Sequence, residues 1–299
     1  MAQNQRAFST LVDLDPVLTD VYFQQYEQIP MQLVGQIIGN RTSTKAKETD
    51  QRVGTFAEPV PFDGQVAYDT AEQDYIIEYV HEELTRGFKI TRSMLEDLQY
   101  DGIFDRAVNL GQAFARKRVR DEAAMFNNAF ATVTGYDGKT LVATDHPRSK
   151  TDSTAVNNSM GTVALTESNL EAALVKLSEL GDDLGKETNA MGTHLIVGRN
   201  QRMKALKLTG SQLEAESGNN AINTHTSIIP VVHPMITGNK WFVVDAPMAL
   251  RTAKWYDRVT PEFFSDDDIV NTMVRSYVGR MRYSYGWSDF RWVVGSNAS

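Results

Sequence analysis

Apolar residues recur at helical spacing between Asp101 and Phe130, in DGIFDRAVNLGQAFARKRVRDEAAMFNNAF. Ile103, Phe104, Ala107, Leu110, Phe114, Ala115, Val119, Ala123, Phe126 and Phe130 fall on one stripe, and no proline interrupts it. The pattern predicts one long helix, capped by Asp101 and stopped near Gly135. At 1.5 Å per residue it spans roughly 45 Å, so it needs long partners on its apolar face. Its polar face carries Arg116, Lys117, Arg118, Arg120, Asp121 and Glu122. Such a run reads first as a solvated face. The sharper reading is a face that meets a neighbouring subunit.

Before this helix the chain is poor in self-contained core. Asp15-Pro16 opens a short helix, with Asp15 as its cap and Pro16 at the first position, and Val17, Leu18, Val21 and Tyr22 on its stripe. Leu33 to Ile38 is apolar enough to pair with something, whereas Asn40 to Asp50 is polar and reads as mobile. Residues 52–90 contain turn signals at Pro59, Pro61 and Asp63-Gly64, with strands expected over Gln65–Tyr68, Tyr75–Val80 and Phe88–Thr91. A long two-stranded excursion is marginal alone in water, so this one requires a partner surface. Ser93 to Leu98 reads as a helical lead-in.

After the helix the pattern becomes compact. Thr166 caps an amphipathic helix with Leu170, Ala173, Leu174, Leu177 and Leu180 on one face and Gly181 as its stop. His194–Val197 is a short buried strand, Arg199–Leu208 a helix, and Gly210–Thr226 a polar loop. Ile228–Val232 and Lys240–Val244 are further strands. Together 160–250 reads as one α/β unit. The tail returns to strands over Ala249–Lys254, Asp268–Arg275 and Val278–Tyr285, closing with Trp287, Phe290 and Trp292.

Composition narrows the class. The 299 residues allow one large domain or two, and 41% hydrophobic with 23% charged residues is ordinary for a soluble protein. There are no cysteines, so disulfides and thiolate chemistry are excluded, and a reducing cytoplasm is the expected place of synthesis. No apolar run reaches about 18 residues, so no membrane-spanning helix is expected, and no secretion signal opens the chain. A net charge of −8 does not advertise nucleic-acid binding.

The search for chemistry yields no catalytic, cofactor-binding or metal-binding residues. The five histidines lack metal-site spacing, and His81-Glu82-Glu83 has no second histidine four residues on. No glycine pattern signals a phosphate loop. The acidic run Ser265-Asp266-Asp267-Asp268 lacks the alternating ligands and later Glu of a calcium loop and reads as a turn between strands. The aromatic, arginine-containing tail reads as a packed strand face rather than a base-stacking surface. Asp145-His146 is the most enzyme-like pair. With a carboxylate such as Glu187 it defines the alternative reading, a hydrolase, which needs a pocket gathering all three. A ring-forming or tail subunit is a second alternative.

The order of segments resembles the major capsid protein of tailed bacteriophages, the Hong Kong 97-type fold. Within it, several motifs resemble the Mu-like major head protein family: Leu141 with Asp145-His146-Pro147, Asn157-Asn158, and Leu165-Thr166. Others are Gly181-Asp182-Asp183 with Gly185, His194 to Val197, Ala205 to Ser211 and Trp241 to Asp245. Pro261-Glu262-Phe263, Tyr277, Gly279, Arg282 and Tyr285-Gly286-Trp287 complete the set. The motifs cover about 135–296; the rest matches by layout.

The resemblance implies an α+β capsid fold: an N-terminal arm (1–53), an extended β loop (54–89), a peripheral domain with a long spine helix (90–134 and 250–299) and an axial α/β domain (135–249). It implies a homo-oligomer of hexamers and pentamers, closing as an icosahedral shell around packaged double-stranded DNA held by weak nonspecific contact. No cofactor and no membrane are expected. Scaffold, portal and decoration proteins are possible partners, with assembly in the bacterial host cytoplasm and residence in the virion. A chain opening directly on an arm is expected to be a mature form or to have a separately encoded scaffold. Some members of this fold cross-link their shells through a lysine in the extended loop. No lysine lies between Lys47 and Lys89, so a non-covalent shell is expected.

Overall fold

The computed structural model of the chain describes residues 11–62, 64, 66, 68, 73–131, 135–210, 223–268 and 273–298. A 3-10 turn, Leu11–Leu14, runs straight into α1 (Asp15–Glu27), with Pro16 in its first turn. Asp15 is not the cap. Its carboxylate accepts instead from Arg275 Nε at 2.9 Å and Tyr277 Oη at 2.8 Å, tying the start of the chain to its far end.

The segment read as mobile is largely ordered pairing. β1 (Gly39–Thr42) runs parallel to Lys254–Asp257, and β2 (Lys47–Val53) pairs antiparallel with β3 (Gln73–Val80). A backbone ladder needs no apolar side chains, so the polar composition of 40–50 hid both strands. β1 also needs Gly39, because a Cβ there would lie 2.3 Å from the Leu250 carbonyl oxygen. The strand expected over Gln65–Tyr68 lies partly outside the described residues.

β4 (Glu82–Thr91) corrects a second expectation. It is not part of the excursion but pairs along its whole length with the chain's own Val274–Tyr283. Leu84, Phe88 and Ile90 alternate inward to the core, the period-2 signature of a half-buried strand. The hairpin is therefore β2–β3.

α2 (Arg92–Glu96) is capped by the Thr91 hydroxyl, which accepts from the Met94 amide at 3.3 Å. Leu98 at φ +56° then breaks the helical path before α3 (Tyr100–Asn127). The long helix is thus where the stripe puts it, but Gln99 precedes its first residue and Asn128 ends it. Neither Asp101 nor Gly135 caps it.

The short pair β5 (His146–Pro147) and β6 (Ala155–Val156) leads to α4 (Glu167–Ser178), whose Thr166 cap accepts from Asn169 N at 3.3 Å. β7 (His194–Gly198), a 3-10 turn and α5 (Arg202–Gly210) follow, then β8 (Ile229–His233) and β9 (Trp241–Val244). The polar loop 210–226 lies mostly outside the described residues. The strand expected over Ala249–Lys254 is α6 (Ala246–Thr252), capped by Asp245 with Pro247 in the first turn. β10 (Ala253–Asp268), β11 (Val274–Trp287) and β12 (Val293–Ser296) close the chain. The acidic run ends β10, and part of the strand expected over Asp268–Arg275 lies outside the described residues.

Among the described residues two four-stranded sheets result, in orders β1-β10-β11-β4 and β12-β9-β7-β8. The last strand is the surprise: β12 leaves the long sheet and pairs antiparallel with β9. The inward face of the long helix meets both sheets. Phe114 contacts Tyr22 edge-on at 5.9 Å and lies against Gly279 of β11, while Phe126 meets Trp292 at 6.2 Å and Phe242 at 5.2 Å. A second core, including Leu170, Leu177, Leu195 and Trp241, fills the α4–β7–β9 layer. A third, around Leu14, Leu18, Ile90 and Ile103, seals the other end of α3.

Candidate assembly surfaces

The β2–β3 hairpin is fastened at its base and bare toward its tip. Arg52 bonds Asp183, reaches Asp289 at 3.4 Å and donates to Tyr136 Oη at 2.9 Å. Tyr79 is buried against Tyr256 and Gly286. Beyond these anchors, Phe56, Val60, Phe62, Val66 and Tyr68 are exposed, Phe62 by 76% and Tyr68 by 88%. Scattered single apolar residues are normal on a surface, but five within one projecting segment mark an interaction site.

The hairpin joins the long sheet through His81. Its ring lies between the Ser43 hydroxyl, 3.0 Å from Nε2, and the Ser284 hydroxyl, 2.9 Å from Nδ1. Burial holds its pKa below the ordinary value and Arg282 lowers it further; Glu48 opposes and Arg258 adds to the lowering. A histidine with a depressed folded pKa contributes stability at neutral pH. That contribution is lost as pH falls through the unfolded value of about 6.5 toward the folded one. The wild type should therefore lose more Tm between pH 7.5 and 5.5 than His81→Gln, measured by differential scanning fluorimetry; equal losses would remove His81 from the account.

The charged face of α3 corrects the sequence reading. Arg116 and Arg120 are exposed, but Asp121 and Glu122 are buried. Asp121 takes Lys117 and the Tyr283 hydroxyl at 2.7 and 2.6 Å, and Arg118 turns inward to Asp257 at 3.1 Å and to Tyr26. Glu122 is fully buried and accepts from the backbone N–H groups of Gln32, Leu33 and Val34. His233 Nε2 lies 3.5 Å from it. The arm, the long helix and the second sheet thus meet at one carboxylate. Its signal was in the sequence: Glu122 is three residues after Val119 and four before Phe126, on the apolar stripe.

The enzyme-like residues do not form a site. The side chains of His146 and Asp137 are fully buried, with Nδ1 2.6 Å from the carboxylate, and the imidazole stacks on Phe290 at 3.8 Å. Asp145 points the other way, half-exposed and bonded to Lys139. Glu187 is exposed on a separate turn that bridges to Gly181. Among the described residues no group of three His, Asp or Glu side chains could hold a metal ion, and no helix is long and apolar enough to cross a membrane. The aromatic tail is a packed face: Trp255 stacks on Tyr283 and Tyr285, and Arg291, 1% exposed, donates to the Gly181 and Arg148 carbonyls.

An arm, a projecting hairpin, a long helix under one sheet and a second α/β layer are the layout of a phage capsid subunit. Known structures share it. A virus-like particle protein from Pyrococcus furiosus aligns at TM-score 0.57 and 10% identity over 93% of this chain and 97% of that one. The capsid of cyanophage P-SCSP1u aligns at 0.56 and 12% over 88% and 87%, and a structure from Microbacterium phage Oxtober96 at 0.55 and 11% over 88% and 90%. No curated protein sequence matches. The phage capsid protein family profile matches residues 76–296, and the chain belongs to that family. It is a major capsid protein, a structural subunit whose copies associate into the virion shell.

Proposed function

We propose that this subunit is a major head protein of the Mu-like type, closing an icosahedral shell of hexamers and pentamers around double-stranded DNA. The Mu-like motifs between Leu141 and Trp287 support that type. The proposed division is an arm (1–53), an extended loop (54–89) whose β4 end is fastened to the long sheet, a peripheral part (90–134 and 250–299) and an axial part (135–249), with β12 lent to the axial sheet. Scaffold, portal and decoration proteins would be its partners, in the host cytoplasm during assembly. Its role is structural, without catalysis.

The observation that carries this reading is the bare apolar hairpin. Its base is fixed on its own chain, and Phe56, Val60, Phe62, Val66 and Tyr68 are exposed there, so a neighbouring copy supplies their cover. Isologous or ring-forming contacts of this kind close into symmetric assemblies. Deleting 62–78 should leave soluble protein that forms no shells by negative-stain microscopy; normal particles from that deletion would refute the role of the loop. Boiled particles should also run as a single band near the monomer mass, because the loop lacks a lysine nucleophile. A ladder of multimers in that gel would refute the non-covalent shell.

A further inference from the structure

We propose that the exposed ridge of α3 is the surface that meets the packaged duplex, contacting phosphates through Arg106, Arg116 and Arg120 and through Arg86 beside them on β4. This rests on the reading that the shell encloses double-stranded DNA, and adds which face of the subunit the DNA touches. Arg106, Asn109, Ala113, Arg116 and Arg120 follow one another at intervals of three and four residues, so they share one helix face, and all five are exposed. No acid lies between Arg106 and Arg120. Arg86 comes from a second acid-free stretch, Leu84 to Thr91. It alternates to the helix side of β4 with Leu84 and Phe88, and it shares a groove with Lys117 and Arg120. Among the described residues Arg86, Arg116 and Arg120 make no ion pair, and Arg106 donates to the Lys89 carbonyl at 2.6 Å. Lys117 shares Asp121 yet keeps 39% of its side chain exposed.

The fold thus gathers cations from two distant segments and leaves them uncompensated, although the chain as a whole carries a net charge of −8. The other face of the long sheet differs: Arg280 is held there by Glu83 at 2.7 Å and Glu262 at 3.4 Å. A polyanion completes the ridge. Arg106 to Arg120 spans roughly 21 Å at 1.5 Å per residue, over which a duplex presents about six phosphates per strand. The side chains between the arginines, Asn109 and Ala113, are short and let a sugar–phosphate backbone come close. A row of arginines laid on phosphates reads no base, so the contact is nonspecific and salt-sensitive. The inward face of α3 carries both sheets, so DNA on the ridge places α3 toward the lumen and the Arg280 face of the long sheet away from it. An acidic surface of a neighbouring copy is the competing occupant. A specific subunit contact, however, is built around a fitted apolar centre, which a row of Arg, Asn and Ala does not offer.

The experiment measures binding of the purified full-length subunit to a labelled 30-base-pair duplex by fluorescence anisotropy across a salt series. It compares wild type, Arg86→Gln/Arg116→Gln/Arg120→Gln, and Arg202→Gln/Lys204→Gln/Lys207→Gln, which removes the same charge from exposed positions on α5. Circular dichroism checks that each subunit is folded, and negative-stain microscopy counts shells after expression. Each phosphate contact contributes about 0.9 to the slope of log affinity against log salt, so the ridge variant should lose about 2 to 3 from it. The α5 variant should keep the wild-type slope, and the ridge variant should still form shells. Equal slopes in wild type and ridge variant overturn the proposal, as does an equal loss from both variants, which would make the effect one of net charge. Loss of shells with an unchanged slope also overturns it and gives the ridge to a neighbouring subunit. A ridge-dependent slope from a wild type that assembles no shells would instead strike the reading of an enclosed genome and leave the ridge a phosphate-binding surface.

Discussion

Glu122→Ala should give subunits that accumulate insolubly or melt on the order of 10 °C below wild type. The carboxylate has no solvent exposure, and it is held by the amides of Gln32 at 3.1 Å, Val34 at 2.7 Å and Leu33. These three donors, with His233 alongside, offset the cost of burying its charge. Alanine removes the acceptor and leaves the donors behind. Leaving buried amide donors without their acceptor costs about 1–3 kcal/mol each. Out of a total of about 5–15 kcal/mol, that decides whether the subunit folds. Glu122→Gln keeps one acceptor oxygen but turns an N–H₂ toward other donors, so its Tm should fall between the two. An alanine variant melting with the wild type would show that the turn at 32–34 is held by its own bonds, such as Ile37 N to Leu33 O at 2.8 Å.

The parts that were legible in the sequence are those whose cause is local. The stripe on α3 and the Thr166 cap depend on residues within a few positions, and both stand where the pattern placed them. The bare hairpin tip was legible for a related reason: turn residues and too few apolar positions leave a segment without a core of its own. Pairings across the chain were not legible. β4 reads as a continuation of the excursion until β11, some 190 residues later, supplies its ladder. β1 is polar, and only the parallel register with Lys254–Asp257 makes it a strand. α6 was readable and was missed, since Asp245 followed by Pro247 is a helix start that outweighs the β-like run after it. The charged face of α3 divides in the same way. Nothing near Arg118 in sequence reveals that Tyr26 and Asp257 wait beside it, whereas Arg116 and Arg120, with no such partners among the described residues, remain on the surface.

Phe114→Ala should be the most damaging single truncation on the helix. The ring is 4% exposed, sits edge-on to Tyr22, and rests on Gly279, where an added Cβ would come within 2.9 Å of it. It therefore links α1, α3 and β11 in the largest core. Truncating a buried phenylalanine costs about 3–5 kcal/mol, and this site cannot collapse cheaply because the strand backbone forms one wall. The expected result is insoluble protein, or soluble protein with a Tm lowered on the order of 10 °C and no shells. Gly279→Ala attacks the same contact from the other side and should fail with it, since the ring has no room to yield. Arg116→Ala, two residues along the helix, is the control. It lies on the exposed face, so stability should move by less than about 0.5 kcal/mol. The contrast separates folding from assembly. A Phe114→Ala subunit with wild-type Tm and wild-type shells would mean that the α3–β11 contact does not hold the subunit together, and that the sheet and the arm alone carry it.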